Sequence, residues 1–238
     1  PLFYSALIRI NAIFVLDKAV LSCLFIDIAI LLFLLGIIFE KGEKFTLIRQ
    51  HAFIFAGFVL ILILATFIST DSAVSFWGSY ERQFGLFFYL HLSVYFYLLT
   101  VFFRKARGRK KIVSAIILSG TIVSLYGIMQ WLGLEYFAWY ETGLPVGGRV
   151  MSTLGQPVFL GNFIVLTIFF PLYKALKSEG LAWKSVYFLM FIIQLFCLIF
   201  TYSRGSWIAF MAGLGLFVFL YYFFITEGGV RLKLKRAS

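Results

Sequence analysis

Three arginines in this sequence, Arg82, Arg149 and Arg204, lie among glycine and small hydroxyl residues, the setting that a phosphate-binding site requires. A guanidinium group can bind two phosphate oxygens at once, which a lysine cannot do. Neighbouring glycines let a ligand approach the backbone, and serine and threonine hydroxyls add donors. Two of the three arginines also lie near expected helix N-termini, where unpaired N–H groups and the helix dipole favour anions. The pattern therefore predicts one shared anion site.

Each arginine also has a structural alternative. An acidic side chain close in sequence could neutralise two of them, Arg82 through Glu81 or Asp71 and Arg149 through Glu141. The third could extend to lipid headgroups, as arginines at a membrane interface often do. The repeated setting of glycine and serine favours the shared anion site over three unrelated structural roles.

The elements that must position these arginines are membrane helices. Hydrophobic residues make up 62% of the 238 residues and charged residues 13%, and the mean hydropathy is +0.99, far above that of a soluble domain. The net charge of +11 would suit a nucleic-acid partner, but the basic residues form short clusters between apolar runs instead of one basic face. Cys23 and Cys197 lie inside apolar runs without metal-ligand spacing. We predict a polytopic membrane protein without a nucleic-acid partner or a metal.

Seven segments are apolar enough to cross a hydrocarbon core about 30 Å thick. The predicted spans are 18–39, 52–69, 84–103, 112–132, 158–174, 185–202 and 206–226. Read alternately, the connecting segments place 16 of the 21 basic residues on one side, which is therefore cytoplasmic, and leave the three arginines on the external side. Backbone groups in lipid must pair within helices or closed barrels, so the predicted fold class is all-α, a transmembrane helix bundle.

The two ends of the sequence carry an expectation of their own. The chain begins at Pro1 in apolar sequence, without a basic n-region or a cleavage site, so no signal peptide is predicted. We expect residues 1–238 to form a single transmembrane domain that is a portion of a larger protein.

Other ionisable residues offer less chemistry. Asp27 falls inside the first span, where a carboxylate is costly and indicates either a proton site or a satisfied polar contact. His91 lies within the third span, and a lone histidine among apolar residues is more often a packed core residue than a base. His51 lies at the cytoplasmic start of the second span, away from the arginines. We therefore predict no general base on the arginine side.

Several short stretches resemble the bacterial O-antigen ligase and O-antigen polymerase family. They are Pro1-Leu2-Phe3 with Lys18, FWGS at 76–79 followed by Arg82 and Gly85, the stretch from Gly148-Arg149 through TLGQP to LGN at 160–162, and TYSRGSW at 201–207. The last two stretches are the most similar to the family. Together, the stretches are spread over the greater part of the chain.

The resemblance implies an inner-membrane enzyme of about a dozen spans that transfers a glycan from undecaprenyl diphosphate to lipid A-core sugar, to another repeat unit or to a protein hydroxyl. Arginines facing the periplasm are thought to hold the diphosphate in that family, and by motif position Arg82, Arg149 and Arg204 would inherit this role. The family's proposed catalytic histidine belongs to a large periplasmic loop downstream of such spans. The resemblance thus implies an amino-terminal portion without a catalytic residue, inactive alone. No cofactor is expected, since the donor is already activated and the sequence has neither a GxxxxGK loop nor an Asp-x-Asp pair.

Two functions of other classes stay open at this point. A transporter of a small anion would line an outward-facing cavity with the arginines and use Asp27 for proton coupling, although no internal repeat of the transporter kind is clear. A non-catalytic scaffold of envelope assembly would need neither the arginines nor the glycine-rich segments.

Overall fold

The computed structural model describes residues 16–39, 49–79, 83–104, 106–134 and 148–223, and the regular structure in these ranges is helical. The helices are α1 (Leu16–Phe39), α2 (Arg49–Ile68), α3 (Ser72–Trp77), α4 (Leu86–Arg104), α5 (Ala106–Trp131), α6 (Pro157–Thr167), α7 (Phe169–Lys177), α8 (Leu181–Phe200) and α9 (Arg204–Tyr221). A short 3-10 helix, Ser152–Leu154, precedes α6. The chain forms two compact units that divide within α5, at Lys110 and Lys111. We call them the first unit, with α1 to α4, and the second unit, with α5 to α9.

Five stretches of the described helices are long and apolar enough to cross a membrane. They are Lys18–Gly36, Arg107–Trp131, Pro157–Lys177, Leu181–Phe200 and Arg204–Tyr221, and they coincide with five of the seven predicted spans. The other two predicted spans, 52–69 and 84–103, fall on α2 and α4, whose described apolar stretches Phe55–Ile68 and Leu86–Thr100 are shorter. Helices of this length and composition indicate an all-helical membrane protein.

In the first unit, α4 packs against α1, α2 and α3. The short helix α3 lies in a segment that the sequence analysis treated only as a connection. It begins after Asp71, whose Oδ1 accepts a hydrogen bond from the Val74 N–H at 3.0 Å, the usual role of an N-cap aspartate. It ends at Gly78, which has a φ of +90° and contacts Gly85 so closely that a Cβ on either glycine would overlap backbone atoms. This contact joins the end of α3 to the start of α4.

In the second unit, α6 occupies the centre and packs against α8, α9 and the 3-10 helix, while α7 packs along α8. Leu160, Ile164 and Ile168 are fully buried and form the core together with side chains of α5, α8 and α9. Cys197 is a free, buried cysteine that packs against Gly127, where a Cβ would lie 2.7 Å from its Sγ. This cysteine therefore serves as a packing residue between α5 and α8.

The predicted span 158–174 is a pair of helices, because Pro171 interrupts the backbone hydrogen bonds. Proline has no N–H to donate to the carbonyl four residues earlier, and its ring crowds that carbonyl, which here belongs to Thr167. Accordingly α6 ends at Thr167 and α7 begins at Phe169. The interruption leaves the polar residue Thr167 at the centre of the stretch Pro157–Lys177.

A buried polar cluster lies beside this interruption and joins three helices. Gln194 of α8 is fully buried; its Nε2 donates to Thr121 Oγ1 of α5 at 3.3 Å, and its Oε1 accepts from Thr167 Oγ1 at 3.0 Å. Gly120 makes room for it, since a Cβ there would lie 2.7 Å from Thr167 Oγ1. Hydrogen bonds of this kind hold membrane helices together where the hydrophobic effect cannot.

Candidate functional site: the arginine end of the second unit

The turn between α8 and α9 positions Arg204. Thr201 closes α8, with its Oγ1 donating to the Leu198 carbonyl at 2.7 Å and accepting from the Ser203 N–H at 3.2 Å. Tyr202 takes a φ of +48°, which lets the chain reverse within three residues. Arg204 is consequently the first residue of α9, not a residue of the turn between the predicted spans 185–202 and 206–226. Its side chain is exposed at the N-terminal end of that helix.

Arg149 is fixed to the same turn by two hydrogen bonds. The Val150 N–H donates to the Phe200 carbonyl at 3.1 Å, and Arg149 Nε donates to the Thr201 carbonyl at 3.2 Å. These carbonyls end α8 and have no partner within the helix, and the negative end of the helix dipole favours a cation there. The structure therefore brings the Arg149 segment to the turn that precedes Arg204. Neither structural alternative considered from the sequence included this contact.

Gln130, at the end of α5, holds the segment that follows Arg149. Its Oε1 accepts hydrogen bonds from the N–H groups of Met151 at 3.0 Å and Ser152 at 2.9 Å. Ser152 is fully buried with a φ of +49°, and its Oγ donates to the Val123 carbonyl at 2.7 Å. The backbone after Arg149 is thus tied to α5 by one glutamine and one serine. Neither role is predictable from the sequence, since the contacts span more than 20 residues and leave no local pattern.

A cluster of small polar side chains packs α6 against the start of α9. Ser206 Oγ donates to Asn162 Oδ1 at 3.1 Å and lies 3.0 Å from Ser203 Oγ. Gly161 permits this approach, because a Cβ there would overlap Ser206 Oγ and lie 2.7 Å from its Cβ. The motif stretches LGN and SRGS therefore meet in space.

The geometry leaves donors available at this end of the unit. Ser203 has the extended backbone of an N-cap residue, but its hydroxyl is turned toward Ser206 and caps no N–H group of α9. Gly205 has no neighbour within 4 Å of the position of a Cβ, so the backbone beside Arg204 is open. Within the described part of the chain, neither Arg149 nor Arg204 forms an ion pair. Two guanidinium groups and a helix N-terminus can together bind an anion.

Trp131, at the end of α5, borders this end of the unit as well. Its ring stacks on Phe200 with centroids 4.3 Å apart and planes 2° apart. Its Nε1 is buried and lacks a hydrogen-bond partner among the described residues. Trp131 is thus a packing residue beside the carbonyl that Val150 binds.

Other residues singled out from the sequence lie elsewhere or outside the described ranges. Arg82 and its possible partner Glu81 lie outside the described residues. Glu141, the possible partner of Arg149, lies outside them as well. Asp71 serves as the N-cap of α3. Asp27 and His91 belong to the first unit, where they contact each other. Among the described residues, no three His, Cys, Asp or Glu side chains lie close enough to hold a metal ion.

Fold and site together define an all-helical membrane protein with two arginine-bearing segments joined at one end of a helix bundle. No protein-family model, curated protein or solved structure matches the chain.

Proposed function

We propose that this protein is a membrane glycan transferase similar to O-antigen ligases and polymerases, and that it takes its glycan from undecaprenyl diphosphate. The observation that carries the proposal is the pair of hydrogen bonds from Val150 and Arg149 to the last carbonyls of α8. They bring two glycine- and hydroxyl-rich arginine motifs to one turn. Both motifs also carry the strongest likeness to that family.

The second unit supports an external position for this turn. Lys174, Lys177 and Lys184 lie around the connection between α7 and α8, at the opposite end of α8 from Thr201. The 20 residues of α8 span about 30 Å, the thickness of a hydrocarbon core. In the proposal, the end with the excess of lysine is cytoplasmic and the arginine end faces the periplasm of a bacterial inner membrane. The proposal includes seven spans in this chain and assigns Arg82 to the same site by its motif.

The proposed reaction breaks the bond between the anomeric carbon and the diphosphate oxygen while an acceptor hydroxyl forms a new bond to that carbon with inversion. The hydroxyl proton passes to a base outside the residues assigned here, and the diphosphate leaves with the bonding electrons. Arg149 and Arg204 bind the diphosphate and stabilise the charge that develops on it. Such stabilisation of the leaving group is often the largest single contribution to catalysis.

The test uses the full-length protein with Arg149→Ala and Arg204→Ala. Each change is expected to abolish glycan transfer and binding of undecaprenyl diphosphate while membrane insertion and abundance stay normal. Lys184→Ala, which removes an exposed charge at the other end of α8, is the matched control and should transfer normally. Wild-type transfer by either arginine variant would refute the assignment.

A structural role for Arg149 at the end of α8 makes a different prediction. If Arg149 served only to cap that helix, Arg149→Ala would lower thermal stability in detergent and leave the affinity of the folded fraction for the lipid diphosphate unchanged. Anion flux into proteoliposomes without glycan transfer would instead indicate the transporter.

A further inference from the structure

An aspartate and a histidine meet between two apolar helices of the first unit. Asp27 is at the midpoint of the apolar stretch Lys18–Gly36, nine residues from each end, and His91 lies within the apolar stretch Leu86–Thr100 of α4. The two helices pack against each other, and His91 Nε2 lies 3.2 Å from Asp27 Oδ1. The His91 side chain is 14% exposed and that of Asp27 is 59% exposed. The two residues lie far apart in the sequence, so no local pattern predicts this contact.

The other ring nitrogen of His91 determines which atoms carry hydrogen. His91 Nδ1 lies 2.8 Å from the Phe87 carbonyl oxygen, which can only accept a hydrogen bond, so Nδ1 must carry a hydrogen. Nε2 is then an acceptor in a neutral ring and a donor only in an imidazolium. An ionised Asp27 carboxylate is also an acceptor alone. The contact at 3.2 Å is a hydrogen bond only when one proton lies between Oδ1 and Nε2.

Net charge leads to the same proton count. With one proton in addition to the hydrogen on Nδ1, the pair is neutral overall, either as imidazolium and carboxylate or as imidazole and carboxylic acid. Without this proton the pair carries one negative charge. With two such protons it carries one positive charge. A charge near the bilayer centre costs at least about 2.5 kcal/mol on insertion scales, so the neutral state is favoured.

The described neighbours do not supply a compensating charge close to the pair. On α1, Cys23 lies one turn before Asp27, and Lys18 is nine residues away. The described side chains of α2 and of α3, which also pack against α4, are not ionisable, and Asp71 before α3 is engaged by the Val74 N–H. On α4 itself, the other ionisable side chains that the structure describes are Tyr89, Tyr95 and Tyr97.

We propose that Asp27 and His91 form a proton-binding site within the membrane, in which one proton is held between Asp27 Oδ1 and His91 Nε2. The site binds a proton, and the hydrogen bond that this proton makes joins α1 to α4. Loss of the proton leaves two acceptors facing each other and a net negative charge between the helices, which weakens their contact. The site is independent of glycan transfer by the arginine end, because it lies in the first unit and requires neither Arg149 nor Arg204.

The test is magic-angle-spinning NMR of the full-length protein in lipid bilayers, labelled with 15N-histidine and 13C-aspartate. At neutral pH, His91 Nδ1 is expected to carry a proton. The spectra are also expected to show one of two states. Either Nε2 is protonated and Asp27 is ionised, or Asp27 is protonated and Nε2 is not. An unprotonated Nε2 beside an ionised Asp27, or an unprotonated Nδ1, would overturn the proposal.

Variants assign the signals and provide the control. Asp27→Asn and His91→Gln each remove one partner and should abolish the signal of the shared proton. Asp71→Asn removes a carboxylate of the same unit outside the pair and keeps a good N-cap residue, so it should leave the His91 signals unchanged. Should Asp27→Asn or His91→Gln fail to insert, the dipolar coupling between the Asp27 carboxyl carbon and His91 Nε2 in the wild type assigns the same signals. Loss of that coupling would also overturn the proposal.

Discussion

Replacement of Gly161 by alanine tests the packing that joins the two strongest motif stretches. A Cβ at this position would overlap Ser206 Oγ and lie 2.7 Å from Ser206 Cβ and 3.5 Å from Ser203 Cβ. Real Cβ atoms do not approach other carbon atoms at 2.7 Å, so α6 and the start of α9 must separate. The movement would also strain the hydrogen bond from Ser206 to Asn162.

The expected magnitude follows from the behaviour of overpacked cores. Forcing an extra methyl group into a well-packed site costs about 1–3 kcal/mol. Alanine has a better helix propensity than glycine by about 0.8–1.0 kcal/mol, which offsets part of this cost. We therefore expect Gly161→Ala to lower the free energy of unfolding by up to about 2 kcal/mol, at most about a thirtyfold shift in the equilibrium between folded and unfolded protein.

Two further variants separate the steric effect from the helix propensity. Gly205 in α9 has no neighbour within 4 Å of its Cβ position, so Gly205→Ala should be neutral or stabilising. Ser206→Gly removes the atoms that an alanine at position 161 would meet. In the Ser206→Gly background, the effect of Gly161→Ala on the free energy of unfolding should therefore change sign, so that the alanine stabilises the protein.

The assay is reversible unfolding in lipid bicelles, measured by steric trapping on the wild type, the single variants and the double variant. The reasoning would be refuted if the Gly161→Ala variant were as stable as the Gly205→Ala variant. It would also be refuted if Gly161→Ala lowered the free energy of unfolding equally with and without the Ser206 side chain.

Three other predictions follow from the second unit. In a double-mutant cycle, Gln194→Leu and Thr121→Val should show a coupling of about 0.6 kcal/mol and no more than about 1.7 kcal/mol, the range for hydrogen bonds between membrane helices; unfolding in bicelles measures it, and strict additivity would contradict it. Gly205→Ala should reduce glycan transfer by about tenfold or more without loss of stability, because its methyl group would contact a diphosphate at the start of α9; unchanged steady-state transfer would argue against a ligand there. Trp131→Leu should be less stable than Trp131→Phe by about 0.5–1.5 kcal/mol, the contribution of the stack on Phe200, as thermal unfolding in detergent would report; equal stability would show that the stack contributes nothing.

The sequence predicted the helical class and the five long spans because an apolar run of about 20 residues has few alternatives in lipid. It also contains two local signals for features that the seven predicted spans lack. Pro171 lies four residues after Thr167 and marks the interruption between α6 and α7, and Asp71 before a short apolar segment is an N-cap signal for α3. These elements could have been predicted from spacing alone.

The candidate site was predicted only in part. The setting of Arg149 and Arg204 among glycines and hydroxyls indicated an anion site, but its geometry depends on Gln130 and on the Thr201 carbonyl, which are distant in sequence. Nothing local in the sequence pairs a glutamine with backbone N–H groups 21 residues later. Asp27 and His91 were considered one at a time for the same reason: a contact between two helices leaves no local pattern.

The contact between Val150 and Phe200 also sets the order in which this end of the protein can assemble during synthesis. The two residues are 50 positions apart, so the Arg149 segment is synthesised before its partner carbonyls exist. At about 5–20 residues per second, Arg149 waits about 3–10 s for the end of α8 to emerge. Until then the cationic side chain has no helix end to bind, and the contact that joins the two arginine segments forms only with the last two helices of the unit.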